Sequence, residues 1–245
     1  MYAGRAQNVI SIFDLRTLYF VLRDRRSGLS TKNKAQSTKQ EIVMVELIPS
    51  QDAVMQILTR TGAFREGHFV YPNGKHSPHY FQMPLAFRYY DTARVLAVAL
   101  SRKFRLEKDI SSQLPKVAII SPSSGGIPVA FGVRDALNAE QIYWAEQEEG
   151  KRQFRQYVNQ GEVNACIIVD DLIRSGKALE ETIKLVKQLG SRIIGAGAIV
   201  RFTSAPDEVE GGPIKALVDF DARIYDTAGA CKECKEGIPE EHVRF

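Results

Sequence analysis

Apolar positions change their spacing twice along the chain, and each change marks a different kind of element. Between residues 51 and 63, Ala53, Val54, Ile57 and Leu58 fall on one helical face, and Gly62 loosens the far end. Residues 67–82 place two aromatic, strand-prone segments on either side of Pro72-Asn73-Gly74, a turn signal that predicts a small hairpin. From Asp91 onward, helical periods and short continuous apolar runs take turns. Residues 91–104 are helical, with Val95, Leu96, Val98, Ala99 and Leu100 apolar, and strands are predicted at 116–120, 141–145, 166–169, 193–200 and 216–220. This βαβ alternation predicts an α/β fold, a doubly wound, mostly parallel sheet flanked by helices, with the first helix and hairpin as a small hood. The expected division is an N-terminal extension over 1–43, the hood over 44–90, the core over 91–225 and a tail over 226–245.

The most informative stretch runs from Cys166 to Ala178. Cys166 to Val169 is short, continuous and β-branched, as suits a parallel strand covered on both faces. Asp170 and Asp171 follow at its carboxyl end, where open α/β sheets place their ligands. Arg174, Ser175, Gly176 and Lys177 then lead into the helical pattern Leu179, Ile183, Val186, Leu189, closed by Gly190. Free backbone donors at a helix N-terminus, a hydroxyl and two cations together make a phosphate cradle. The plainer reading of the same residues is a loop with a helix cap. A second Gly-rich loop, Ser121-Pro-Ser-Ser-Gly-Gly-Ile-Pro128, opens another helix after another strand, and two such loops at the ends of two strands of one sheet favour an anion-binding cleft.

Charge and cysteine content narrow the classes of function. Residues 1–43 carry eight basic side chains against three acidic ones, whereas the whole chain of 245 residues has a net charge of +4, so the remainder is slightly acidic. That body has no basic excess to recommend nucleic acid as a partner. No apolar run approaches the roughly 20 residues that span a bilayer, and three cysteines offer no disulfide framework, so a cytoplasmic, reducing compartment is expected. The basic leader lacks the small-residue cleavage site of a secretory signal. It reads as an organellar transit sequence or, the favoured alternative, as an upstream extension before a start at Met44. Three histidines, His68, His76 and His79, have no cysteine near them in sequence, so hydrogen-bonded loop histidines are expected rather than metal ligands. Cys231 and Cys234 with His242 would make three zinc ligands and lack a fourth, which favours a reduced turn.

With these motifs in place, the chain resembles the type I phosphoribosyltransferases, whose signature is a hydrophobic strand, two acidic residues and a short loop entering a helix. Within them it is similar to the orotate branch from about Met44 to the C-terminus. The hairpin positions Gly67, Phe69, Gly74, Ser77 and Tyr80 match, as do the pyrophosphate loop Ser123-Ser-Gly-Gly126, Ala145-Glu146, Arg201 and the tail Cys231-Lys-Glu-Cys234-Lys-Glu-Gly-Ile-Pro239. The resemblance implies transfer of ribose 5-phosphate from phosphoribosyl pyrophosphate to N1 of orotate, with Mg2+ and release of pyrophosphate, by a homodimer. It implies that Asp170 and Asp171 hold the ribose hydroxyls beneath the developing positive charge and help to place the metal, which the substrate mostly holds. Arg174, Ser175, Gly176, Lys177 and Ala178 would then surround the 5-phosphate, and Ser124, Gly125 and Gly126 the pyrophosphate. Lys151 would add charge at the leaving group, with Arg152 and Arg155 as alternatives. Arg201 would pair with the orotate carboxylate, and Tyr80 or Phe81 would cover the ring.

Three departures accompany the match. Arg174-Ser-Gly-Lys177 stands where the family usually has Thr-Thr-Gly followed by Gly or Thr, Gln147 stands where an Arg commonly follows Ala-Glu, and the mobile loop is only Glu148 to Arg155. They leave two alternatives beside the enzyme: a relative that binds phosphoribosyl compounds or nucleotides without turnover, and a phosphoribosyltransferase for another nucleobase.

Overall fold

The structure, a computed structural model, describes residues 48–243; the expectations for residues 1–43 and for a start at Met44 lie outside them. Helix α1 (Gln51–Thr61) begins where Ser50 Oγ accepts the Ala53 N–H at 3.2 Å and ends at Gly62, whose φ of 78° suits a residue without Cβ. Strands β1 (Phe64–Val70) and β2 (His76–Phe81) are antiparallel, joined by a turn in which the Gly74 N–H donates to the Tyr71 carbonyl at 2.8 Å. The short helices α2 (Pro84–Phe87) and α4 (Lys108–Gln113) flank the long α3 (Tyr90–Arg105).

The core alternates as the spacing implies: β3 (Ala118–Ser121), α5 (Ile127–Leu137), β4 (Gln141–Glu148), β5 (Lys151–Phe154), β6 (Ala165–Ile173), α6 (Lys177–Gln188) and β7 (Arg192–Phe202). After β7 come the small ribbon β8 (Glu208–Val209) and β9 (Gly212–Pro213), then β10 (Lys215–Phe220). The tail holds α7 (Lys232–Lys235) and β11 (Glu241–His242). The main sheet has the order β10-β7-β6-β3-β4-β5, parallel except for β5. The doubly wound, mostly parallel architecture is therefore as expected, with a hood beside it.

Side chains of β6 show why its sequence is continuously apolar. Ile167 and Val169 enter the core shared with α3 and α5, while Cys166 and Ile168 enter the core under α6. A strand with helices on both faces has no solvent side on which a polar residue could rest. Among the described residues no helix is long and apolar enough to cross a membrane.

Three local differences from the sequence reading have physical causes. Residues 148–155, read as a mobile loop, finish β4 and reverse into β5 through Glu149 and Gly150, both at positive φ. Strand β6 runs on to Ile173, so Asp170 lies within the ladder opposite Ala198 instead of beyond its end. Strand β11 pairs in parallel with β1, Phe69 opposite Glu241, and makes the hood three-stranded; two residues are too few to show a period.

Close packing at Gly197 of β7 gives a test of the core. A Cβ there would stand 2.5 Å from the carbonyl oxygen of Lys215 on β10 and 2.9 Å from the Phe104 ring of α3. Gly197→Val would gain strand propensity of at most about 1 kcal/mol, but forcing methyl groups against a neighbouring backbone costs about 1–3 kcal/mol or more. The expected outcome in a urea titration is net destabilisation, with a lower midpoint.

Candidate active site

The order of the strands creates the site. Chain direction carries β3 through α5 to β4 on one side, whereas β6 returns to the other side of β3 and continues through α6 to β7. Between β3 and β6 the connections diverge, and a crevice opens at the carboxyl ends of these two strands. The loop after β3 and the loop after β6 both end there, each at a helix N-terminus without a side-chain cap. Two positive helix ends thus face one crevice.

That crevice is a cavity of about 690 Å³. Its lining contains Ser123, Ser124 and Gly125 from the first loop, Asp170 and Asp171 from β6, and the continuous run Leu172 to Leu179. Tyr80, Phe81, Gln82, Met83 and Pro84 close the hood side, and Gln147, Arg152 and Glu181 the other. Glycine at 125 and 126 is required by close approach: a Cβ on Gly125 would be 2.8 Å from Asp171 Oδ2, and one on Gly126 would overlap the Asp170 carboxylate and Ser121 Oγ. Gly176, at φ 80°, turns the second loop into α6, and a Cβ there would sit 2.6 Å from Pro206.

Asp170 is buried, and Ser123 Oγ donates to its Oδ1 at 2.7 Å, tying the first loop to the second strand. Burial raises the Asp170 carboxyl well above the ordinary range, and the neighbouring Asp171 charge raises it further. Burial also raises Asp171, against the Leu172 N–H that donates to its Oδ1 at 2.8 Å and the charge of Arg174. The pair therefore holds a proton readily while no cation is near, and an approaching positive charge favours its ionised form.

The structure thus brings Asp170, Asp171, Arg174, Ser175, Gly176, Lys177, Ala178, Ser124, Gly125, Tyr80 and Phe81 to one cavity, with Gly126 directly behind. Two residues of the expected set lie elsewhere. Lys151 is exposed because side chains alternate along β5, and its neighbour Arg152 is the one that points inward. Arg152 Nε donates to Glu181 Oε2 at 3.0 Å and the guanidinium also reaches the Pro122 carbonyl, which fixes the cation at the rim. Arg201 does not line the cavity. It stands opposite Asp219 on the adjacent parallel strand, so its fork meets that carboxylate at 2.8 and 2.7 Å and the carbonyls of Ala205 and Pro206 at 3.3 Å. Tyr80 and Phe81 point to opposite faces of β2: Tyr80 packs on Phe69, and Phe81 on Phe64, Phe202 and Phe220.

Ser123, matched only as the start of the pyrophosphate loop, and Arg152, offered only as an alternative to Lys151, also line the cavity. Ser123 is visible only as the first residue of the Gly loop. Arg152 becomes visible once the segment is known to be a strand, since it is then the direct cross-strand partner of Gln147.

No protein-family model matches the chain. It is 30% identical over 190 residues to the orotate phosphoribosyltransferase of Thermotoga petrophila, covering 77% of this chain and 95% of that protein. It is 31% identical over 190 residues to the orotate phosphoribosyltransferase of Thermoanaerobacter sp., covering 77% and 94% respectively. Among solved structures, orotate phosphoribosyltransferase from Aeropyrum pernix superposes with a TM-score of 0.56 at 19% identity over 68% of this chain and 93% of that one, which shows a common fold.

The buried carboxyl pair has a cost that stability measurements can read. Because burial sets the folded-state pKa of Asp170 above its unfolded value, its contribution is full below the unfolded pKa and is lost as pH rises through the folded pKa. Asp170→Asn keeps the acceptor for Ser123 and removes this loss. The variant should melt above the parent by a few degrees at neutral pH, about 2–4 °C for each kcal/mol recovered, with a gap that narrows on acidification in differential scanning fluorimetry.

Proposed function

The chain belongs to the orotate phosphoribosyltransferase family, and we propose that it transfers the 5-phosphoribosyl group of phosphoribosyl pyrophosphate to orotate, giving orotidine 5-phosphate and pyrophosphate in pyrimidine nucleotide biosynthesis. One observation carries the reading to the level of residues: two uncapped helix N-termini and a buried carboxylate pair converge on one cavity. The 5-phosphate is assigned to the loop Arg174–Ala178, whose amides, Ser175 hydroxyl and Lys177 ammonium suit an anion. The pyrophosphate is assigned to Ser124, Gly125 and Gly126. Cleavage of the C1–O bond builds positive charge on the ribose, and Asp170 and Asp171 beneath the sugar stabilise that charge in a site of low dielectric.

Hard oxygen donors from Asp170 and Asp171, with no His or Cys in the lining, fit Mg2+. Two carboxyl groups do not make a cage, so the ion would be held largely by substrate oxygens. When bound, it would supply charge against the departing pyrophosphate. Arg152 would supply further charge there. Gln147 stands where relatives commonly have an Arg, and Arg152 lies directly across β4 and β5 from it, so a cation reaches the same rim from the next strand. Tyr80 and Phe81 would cover the base. Arg201 is left out of the base pocket because Asp219 holds its guanidinium.

A cytoplasmic location and a homodimer complete the proposal. The dimer is supported by apolar side chains left exposed along α3 and α5, Tyr90 at 75%, Val95 at 47% and Phe131 at 45%. Tyr90 also borders a cleft with Pro128 and Gly132.

Purified protein with phosphoribosyl pyrophosphate, Mg2+ and orotate should consume the orotate absorbance. Binding in calorimetry without turnover would sink the enzyme reading, and turnover of adenine or hypoxanthine but not orotate would sink the choice of base. Within that assay, Arg152→Ala should lower kcat by roughly 100-fold, the scale of one preorganised donor. Lys151→Ala should leave kcat nearly unchanged; the reverse order would restore Lys151 to the site.

A further inference from the structure

Away from the cavity, four side chains with nitrogen or sulfur donors meet in one place. His68 comes from β1, His76 from the start of β2, and Cys231 and Cys234 from the ends of the turn that becomes α7. His68 Nε2 lies 3.0 Å from His76 Nδ1. Cys234 Sγ is 3.4 Å from His68 Nε2 and 3.5 Å from His76 Nδ1, and Cys231 Sγ is 3.6 Å from His68 Nε2. All four donor atoms lie within 4.8 Å of one another, and Cys231, His68 and His76 are buried.

These separations are the edges of a small tetrahedron. With Zn–S of about 2.3 Å and Zn–N of about 2.05 Å, a tetrahedral ion sets S···N edges of about 3.6 Å and an N···N edge of about 3.3 Å. The thiols also have carboxylate partners, Cys231 Sγ at 3.2 Å from Glu233 Oε2 and Cys234 Sγ at 3.7 Å from Glu240 Oε1, but three donor atoms converge on one histidine nitrogen. His68 Nδ1 is 2.8 Å from the Ile238 carbonyl, which can only accept, so in a neutral ring the proton sits on Nδ1 and Nε2 presents a bare lone pair. That lone pair faces one imidazole nitrogen and two sulfurs. An outer ring nitrogen held by a backbone carbonyl is also the arrangement that orients a metal-bound histidine.

We propose that His68, His76, Cys231 and Cys234 form a structural Zn2+ site. Two thiolates and two imidazoles in tetrahedral disposition select zinc over Mg2+ or Ca2+, which prefer oxygen. All four positions are filled by the protein, so no position is open for a substrate. The ion clamps the tail to the hood. Its other attachments there include the two-residue ladder of β11 on β1, the Val243 N–H on the Val70 carbonyl at 3.0 Å, Val243 buried against Phe69 and Tyr80, and the exposed Arg65–Glu241 and Lys75–Asp226 pairs. The clamped strand β2 starts at His76 and ends at Tyr80 and Phe81 in the cavity wall, so the site braces that wall from behind. His79 and His242 take no part; His242 is exposed and 3.5 Å from Glu240.

The test needs no turnover and uses the full chain, purified without an affinity histidine tag and kept reduced. Elemental analysis should find about one zinc per chain, and Cys231→Ser with Cys234→Ser should bring it to background. His242→Ala should retain the metal, and loss of zinc there would overturn the ligand set. Exchange with Co2+ reads the unaltered protein, whatever the folding of the variants: strong visible ligand-field bands with a thiolate-to-cobalt band in the near ultraviolet are expected. Removing the metal with a chelator should lower the Tm, and adding Zn2+ should restore it. A soluble, reduced chain with neither stoichiometric zinc nor the Co2+ spectrum would overturn the proposal.

Discussion

The contact on which the site depends is that between the backbone of one Gly loop and the carboxylates of the next strand but two. Gly125 and Gly126 lie so close to Asp171 and Asp170 that no side chain fits between them, and Ser123 closes the contact with a hydrogen bond of 2.7 Å. This contact joins the end of β3 to the end of β6 across the point where the sheet's connections diverge. It buries one carboxyl group and pushes both toward protonation, a strained electrostatic state that a cationic centre relieves. The crevice and its charge thus have one origin, which is sheet topology acting on two short loops.

The rim follows from strand alternation. Because β5 pairs antiparallel with β4, Gln147 and Arg152 are opposite one another, and the period of two sends Arg152 inward and Lys151 outward. A cation absent from one strand is present on its neighbour at the same height. On the far side, the same kind of registry takes a cation away. Arg201 and Asp219 are paired across β7 and β10 and satisfy each other.

The hood and tail depend on contacts between residues far apart in the chain. His68 and Cys231 are 163 residues apart, yet their donor atoms lie 3.6 Å from each other. Each half of the cluster is incomplete: two histidines without cysteine, and two cysteines without a second pair of ligands. Only the docking of the tail on β1 completes the four.

The sequence by itself determined the alternation of helix and strand, the hairpin at Pro72–Gly74, the buried strand of Cys166 to Val169 and both Gly loops. Local periodicity and turn chemistry carry those signals within a dozen residues. It also brought the carboxylate pair and the loop Arg174–Ala178 to one end of the sheet, although β6 runs on to Ile173 and keeps Asp170 within its ladder. Tertiary structure alone decided which basic residue faces the cavity, that Arg201 is held by Asp219, and that four scattered His and Cys side chains share one spot. Those outcomes depend on register between strands and on the pairing of β11 with β1, and such long-range pairings leave no periodic trace in the residues that make them.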